Sequence, residues 1–286
     1  MSYTLFIGDY SYSSWSLRGW LLFHRFGIDT AIHRIDFSTE GAWEALAPHP
    51  PARTVPTLVT EDAVIWDSLA IAEELACRHP DAGLWPADSA LRALARSLAA
   101  EMHSGFIALR SSCPMNTRTA YTGVPVDAAL QADLDRIDNL WTHALKQSGG
   151  PWLAGAYSVA DAFFAPVAAR IAGYDLPVSS RARNYVDQHL HDGAFRRFRA
   201  MGLASGQTLA RYAMPYATRA WPGPSPLPAR AIDGGAPVND RCPYSGQTVT
   251  HMMELDGILY GFCNAFCRDN TVADPDAWPA FLELRN

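Results

Sequence analysis

No block of basic residues appears in this 286-residue sequence, whose 23 Lys and Arg are outnumbered by 29 Asp and Glu, for a formal net charge of -6. That balance argues against nucleic acid as a partner. No apolar run approaches the roughly 18 residues of a membrane span, so no transmembrane segment is expected. Residues 1–7 lack a basic stretch and are soon broken by Gly8-Asp9, so no signal peptide is expected. Cysteine is scarce and odd in number: Cys77, Cys113, Cys242, Cys263 and Cys267. An odd count without a secretory signal fits a reducing cytoplasm better than a disulfide scaffold. No internal repeat is found. What the chain does have is 49% hydrophobic residues, enough to fill the cores of more than one domain.

The apolar run at residues 3–8 predicts a buried strand. Leu17, Trp20, Leu21 and Leu22 then fall at helical spacing between residues 14 and 26, with Gly27 as the stop. Residues 31–37 alternate like a half-buried strand, and residues 57–60 and 63–66 flank Glu61-Asp62 as a hairpin. A helix from Ser68 to Arg78 follows. This order predicts an α/β unit with a mixed sheet over residues 1–79. The His79-Pro80-Asp81-Ala82-Gly83 stretch breaks the pattern. Helical spacing over residues 88–110, residues 127–147 and from Ser158 onward predicts an all-α domain at 87–215, with a closing helix and tail at 202–221. Residues 216–240 read as a Pro-rich, semi-rigid spacer, and 241–286 as a small Cys-rich α+β module.

Three segments carry chemistry. A thiolate nucleophile needs a donor near sulfur, because only the anion attacks. Ser13 and Ser14 stand where the first strand hands over to the first helix, and a hydroxyl at a helix N-terminus is such a donor; plain helix capping is the competing explanation. Val55-Pro56 precedes a strand. A cis bond there would aim Val55 backbone groups into a cleft, where they could pair with an extended peptide, whereas a trans bond would only end a loop. Asp67-Ser68 opens another helix: Ser68 can take a carboxylate and Asp67 an ammonium, again with capping as the alternative.

Together these segments resemble the glutathione transferase family. The Ser-Ser-x-Ser-x-Arg run at 13–18 looks most like its serine-type, zeta and theta-like classes. Val55-Pro56 matches the family's cis-proline element, and Asp67-Ser68-Leu69-Ala70-Ile71 the element that binds the γ-glutamyl end. Ser158-Val159-Ala160-Asp161 matches the capping box of the helical domain. The resemblance covers about residues 3–215. It implies a thioredoxin-like N-terminal domain, glutathione as co-substrate, a cytoplasmic homodimer, and transferase or glutathione-dependent isomerase activity; the alternative is a non-catalytic ligand-binding or metal-handling protein that uses the same fold as a dimer platform. Matching the serine motif favours Ser13, then Ser14; a gap-free count from the strand favours Ser11. Thr54, with Arg53 before it, stands where the family commonly places a basic residue, so Arg53 and His49 are candidates for the glycine end. Met102, His103, Phe106 and Arg110 would line the electrophile pocket on one helix, with core packing the alternative for Met102 and Phe106. Arg110 suits an electrophile that bears a carboxylate.

In the tail, Cys242-Pro243-Tyr244-Ser245-Gly246 precedes a hairpin signal at Asp256-Gly257 and then Cys263 and Cys267. A hairpin returning Cys263 toward Cys242 could gather three thiolates for zinc or another soft metal. This region resembles YHS and TRASH-like metal-associated modules, with Ser245 where the second cysteine of the first pair would stand. So small a unit has little core of its own, and either binds metal or packs on the main body.

Overall fold

In the computed structural model, which describes residues 2–205 and 208–286, the first apolar run forms a central strand, β1 (Thr4–Ile7). Its Leu5 and Ile7 are wholly buried. Helix α1 (Ser14–His24) carries the chain over to β2 (Ala31–Arg34), which pairs in parallel with β1, as a crossover helix requires. The expected hairpin forms: β3 (Thr57–Val59) and β4 (Val64–Trp66) are antiparallel, β3 also pairs with β1, and the sheet order is β2-β1-β3-β4. Helix α2 (Ser68–Arg78) follows. Gly19 is required on α1, because a Cβ there would stand 2.7 Å from the Cβ of Pro56. That close approach seats α1 directly on the Val55-Pro56 turn.

The helical part holds α3 (Ser89–Ser104), α4 (Ile107–Ser112), α5 (Ala128–Ser148), α6 (Val159–Gly173) and α7 (Ser180–His191). Every residue of α6 is buried, as expected of a helix apolar all round, and α6 packs on α1 and α3. The Asp161 carboxylate anchors its start. It accepts from the Ser158 N–H and hydroxyl, the Leu153 N–H and the Tyr185 hydroxyl at 2.7–3.0 Å. A two-stranded sheet of β5 (Ala120–Thr122) and β6 (Ala217–Arg219) completes this unit, which comprises Met1–Leu190 and Leu209–Pro222.

The second unit is His191–Thr208 with Gly223–Asn286. It contains α8 (Gly193–Ala204), the antiparallel sheet β7 (Arg230–Ile232), β8 (His251–Leu255) and β9 (Ile258–Phe262), then α9 (Ala265–Ala273) and α10 (Pro279–Arg285). Cys242, Met253, Leu255, Tyr260, Phe262 and Phe281 form its core. The turn between β8 and β9 takes positive φ at Asp256 and Gly257, the signature that predicts this hairpin. In place of a closing helix over 202–221, α8 ends at Ala204 and β6 takes up Ala217–Arg219. The stretch 216–240 carries β6 and β7, and α8 packs on α9. Residues 206 and 207 of the expected closing helix and tail lie outside the described residues.

Candidate functional site

The loop after β1 is folded around Asp9. Its Oδ1 accepts from the Ser11 and Tyr12 N–H groups at 2.7 and 3.1 Å, and its carbonyl accepts from Ser13 N–H at 3.1 Å. Ser13 is thereby placed as the N-cap of α1. Ser13 Oγ accepts from Ser16 N–H at 3.2 Å and from the Ser16 hydroxyl at 2.8 Å, while Ser16 Oγ accepts from Gly8 N–H at 2.8 Å. With both acceptor positions used, Ser13 keeps its own O–H to donate. Ser14 Oγ accepts from Arg170 Nη2 at 3.5 Å. Both serines line a cavity of about 710 Å³. Ser11 does not line it; its carbonyl is taken by Thr117 N–H at 3.1 Å.

Val55, Pro56, Asp67 and Ser68 line the same cavity, and the Val55–Pro56 bond is cis. Asp67 caps α2, with Oδ1 accepting from Leu69 N–H at 2.8 Å and Oδ2 lying 3.2 Å from His103 Nε2. Burial pulls the His103 pKa below its usual value, the Asp67 charge opposes that, and the Arg18 and Arg110 charges reinforce it. Ser68 is wholly buried, yet its hydroxyl has no hydrogen-bond partner. A buried hydroxyl left unpaired is costly, and one beside a cavity can be satisfied by a group bound there.

One wall of the site is cationic. Arg110 lies 5.0 Å from the centre of the Trp15 ring, and Arg18 packs between Trp15 and Phe163 at 4.5 and 5.0 Å. Arg170 donates to the Cys113 carbonyl at 2.8 Å and the Pro166 carbonyl at 3.2 Å. Burial lowers Arg18 to about 9 and Arg170 to about 10, and the neighbouring guanidinium charges push the same way. Arg110 and Arg170 line the cavity; Arg18 does not, and its Nε and Nη1 have no partner.

Residues 12–78 match the family model described as glutathione S-transferase, N-terminal domain. The chain has the glutathione transferase fold. A glutathione transferase homologue from Burkholderia, solved with bound glutathione, aligns with a TM-score of 0.55 at 22% identity, over 72% of this chain and all of that one. The Omega 2S glutathione transferase of Trametes versicolor aligns with a TM-score of 0.54 at 20% identity, over 74% of this chain and 99% of that one. At the sequence level, a probable maleylacetoacetate isomerase of Caenorhabditis elegans is 40% identical over 78 residues, 27% of this chain. That match spans 36% of the length of the relative.

The electrophile residues are placed differently in this transferase fold from the single helix expected of them. α3 ends at Ser104, Gly105 N–H closes on the Glu101 carbonyl at 2.8 Å, and Phe106 is left-handed with φ 59° before α4 begins. The break rotates the next turn, so Met102, Phe106 and Arg110 share no continuous face. Met102 is buried in the core, Phe106 packs toward Phe164, and His103 meets Asp67 and the Trp15 and Phe163 rings; of the four, Arg110 alone lines the cavity. The His49 ring lies tilted against Phe6 with ring centres 5.0 Å apart, and neither it nor Arg53 lines the cavity. Arg170 is the residue the sequence reading missed. Its signal was there: a lone charge inside the otherwise apolar helix from Phe163 to Ile171.

In the second unit, the Cys242, Cys263 and Cys267 sulfurs all lie within 4.8 Å of one another. Cys77 is exposed and Cys113 buried, both apart from this group. Burial raises the Cys242 pKa, but N–H groups of Cys263, Tyr244 and Ser245 donate to its sulfur and bring it down to about 7. Burial and the other two thiols push Cys267 up to about 12.

Proposed function

We propose that the cavity binds glutathione and that the chain turns its thiolate on a small, carboxylate-bearing electrophile, in conjugation or in glutathione-dependent isomerisation. The observation that carries this reading is convergence. The Ser13 and Ser14 hydroxyls, the Val55 backbone, Asp67 and the unpartnered Ser68 hydroxyl come from three separate segments and line one cavity. Asp67 takes the γ-glutamyl ammonium and Ser68 its carboxylate. Val55 pairs with the peptide backbone. Ser13 or Ser14 donates to sulfur at the N-terminus of α1, where the helix dipole also favours the anion. Arg110 and Arg170 draw the carboxylate of the second substrate. The isomerase named in the worm relative favours an unsaturated substrate: sulfur adds to a double bond, the resulting single bond rotates, and sulfur leaves, regenerating glutathione. A cytoplasmic homodimer belongs to this reading on the resemblance alone, and sedimentation velocity tests the assembly.

Calorimetric titration of glutathione into wild type and Asp67→Asn tests the binding step, since Asn keeps an acceptor to cap α2. Saturable binding by wild type, weakened about tenfold or more in the variant, is expected for loss of a charged hydrogen bond. Absence of binding by the folded wild type would overturn the proposal.

A further inference from the structure

The second unit brings three thiols together from separate pieces of backbone. Cys242 begins a tight turn, Cys263 follows β9 directly, and Cys267 lies in the first turn of α9. The turn is closed by Cys242 N–H to the Gln247 carbonyl at 2.8 Å and by Gly246 N–H to the Cys242 carbonyl at 2.9 Å. Gly246 sits there at φ 68°, a conformation a side chain would strain. Folded this way, the turn aims the N–H groups of Tyr244 and Ser245 at the Cys242 sulfur, and Cys263 N–H adds a third. Asn264 Nδ2 donates to the Cys263 sulfur at 3.3 Å. These contacts hold the Cys242 and Cys263 sulfurs in place, within 4.8 Å of each other and of the Cys267 sulfur.

The spacing suits a metal. Zn–S bonds of about 2.3 Å in tetrahedral geometry separate neighbouring sulfurs by roughly 3.8 Å. Cys263 Sγ and Cys267 Sγ are 3.8 Å apart. The Ser245 hydroxyl lies 3.2 Å from Cys263 Sγ and also bonds the Cys242 sulfur, so an oxygen stands beside the three sulfurs. Among the described residues no His, Asp or Glu joins the group. Cys242 belongs to the apolar core, and Cys263 and Cys267 pack against its edge while staying only partly buried.

We propose that Cys242, Cys263 and Cys267 hold one zinc ion as thiolates, with the Ser245 hydroxyl or a water in the fourth position. Each thiol releases its proton to solvent on binding, and no sulfur changes oxidation state. Three protein thiolates leave one corner open to exchange, unlike a closed four-cysteine structural site.

The test uses the full-length, reduced, chelator-stripped protein, titrated with Zn²⁺ against a chromophoric chelator and with Co²⁺ as a spectroscopic probe. One equivalent of Zn²⁺ is expected, together with the sulfur-to-cobalt charge-transfer and tetrahedral d–d bands of Co²⁺. Cys263→Ser with Cys267→Ser should abolish stoichiometric binding. Ser245→Cys supplies a fourth thiolate and should tighten binding at least about tenfold, within the range that changes around a metal site produce. Circular dichroism checks that each chain is folded, and Ser245→Cys keeps the test open should the double variant not fold. Substoichiometric uptake by folded, reduced wild type overturns the proposal. So does undiminished affinity in the folded double variant, or uptake of Cu(I) without Zn²⁺.

Discussion

Ser13 and Ser14 are neighbours that differ in what they already bond. Ser13 caps α1 and accepts twice from Ser16, whereas the Ser14 hydroxyl meets the Arg170 guanidinium. Ser13→Ala should therefore cost about 1 kcal/mol of stability through the lost cap, whatever it does to activity. Replacing the serine that faces sulfur should lower kcat/KM for glutathione transfer by roughly 10²-fold, the size seen when one donor to a developing anion is removed. Steady-state kinetics and urea melts on both alanine variants separate the two roles: a loss of activity in Ser14→Ala with an unchanged melt assigns the sulfur contact to Ser14. At the other end of the cavity, Arg110→Ala should raise KM about tenfold or more for carboxylate-bearing electrophiles, as expected for loss of a hydrogen bond to a charged group. Neutral electrophiles should be unaffected, and an equal loss for both classes would count against a charge-selective role. The serines, Val55-Pro56 and Asp67-Ser68 were legible because each is a local signal, a cap or a turn written in consecutive residues. Arg170 was not, because it reaches Ser14 across 156 positions of sequence.

At the scale of elements, the Ser158–Asp161 capping box formed as read and the amphipathic spacing partly failed. Asp88 and Asp127, caps that the sequence reading did not name, begin α3 and α5. The single helix expected over 88–110 is divided because Gly105 and left-handed Phe106 stop it, a break hidden by apolar spacing that continues through it. α7 was not foreseen, since its sequence is mostly Arg, His, Asn and Asp, with a narrow buried stripe of Ala182, Tyr185, Val186 and Leu190. That stripe also holds His189, buried among Trp152, Tyr157 and Tyr185, where burial above all and the Arg25 charge drive its pKa down to about 3. The folded protein thus leaves His189 neutral while the unfolded chain protonates it near pH 6.5. Between these values the unfolded state binds more protons, so stability is full above pH 6.5 and falls as pH drops, by at most about 1.4 kcal/mol per pH unit from this group. His103, lowered by burial, contributes in the same direction. Urea unfolding at pH 7.5 and 5.5 should show a drop that is smaller in His189→Leu; an equal drop in both chains would refute the assignment.

At the scale of the whole molecule, the tail carries its own small core and adds distant chain around it. Its core residues Cys242, Met253, Leu255, Tyr260, Phe262 and Phe281 all lie beyond residue 240, and from before the boundary drawn from sequence β7 pairs with β8 and α8 packs on α9. Arg196 of α8 binds Asp274 with both prongs, at 2.9 and 2.5 Å, and the Asp274 side chain is 7% exposed. Arg196→Ala would leave that carboxylate buried without its partner. It should cost about 3 kcal/mol, seen as early loss of the second unit in a denaturant series, while glutathione binding in the first unit persists. A parallel loss of both signals would mean the two units do not unfold separately.

The sequence by itself determined the strand and helix order of the N-terminal unit, the two elements around Val55-Pro56 and Asp67-Ser68, and the Asp256-Gly257 hairpin. All of these rest on periodicity, caps and turns that act within a few residues. Tertiary structure alone decided that Arg170 lies beside Ser14, that Ser68 keeps an unpaired hydroxyl in a shared cavity, and that α8 belongs with the cysteine-bearing sheet. Those facts depend on which buried surfaces and charges meet across long stretches of chain, and no local pattern encodes that meeting.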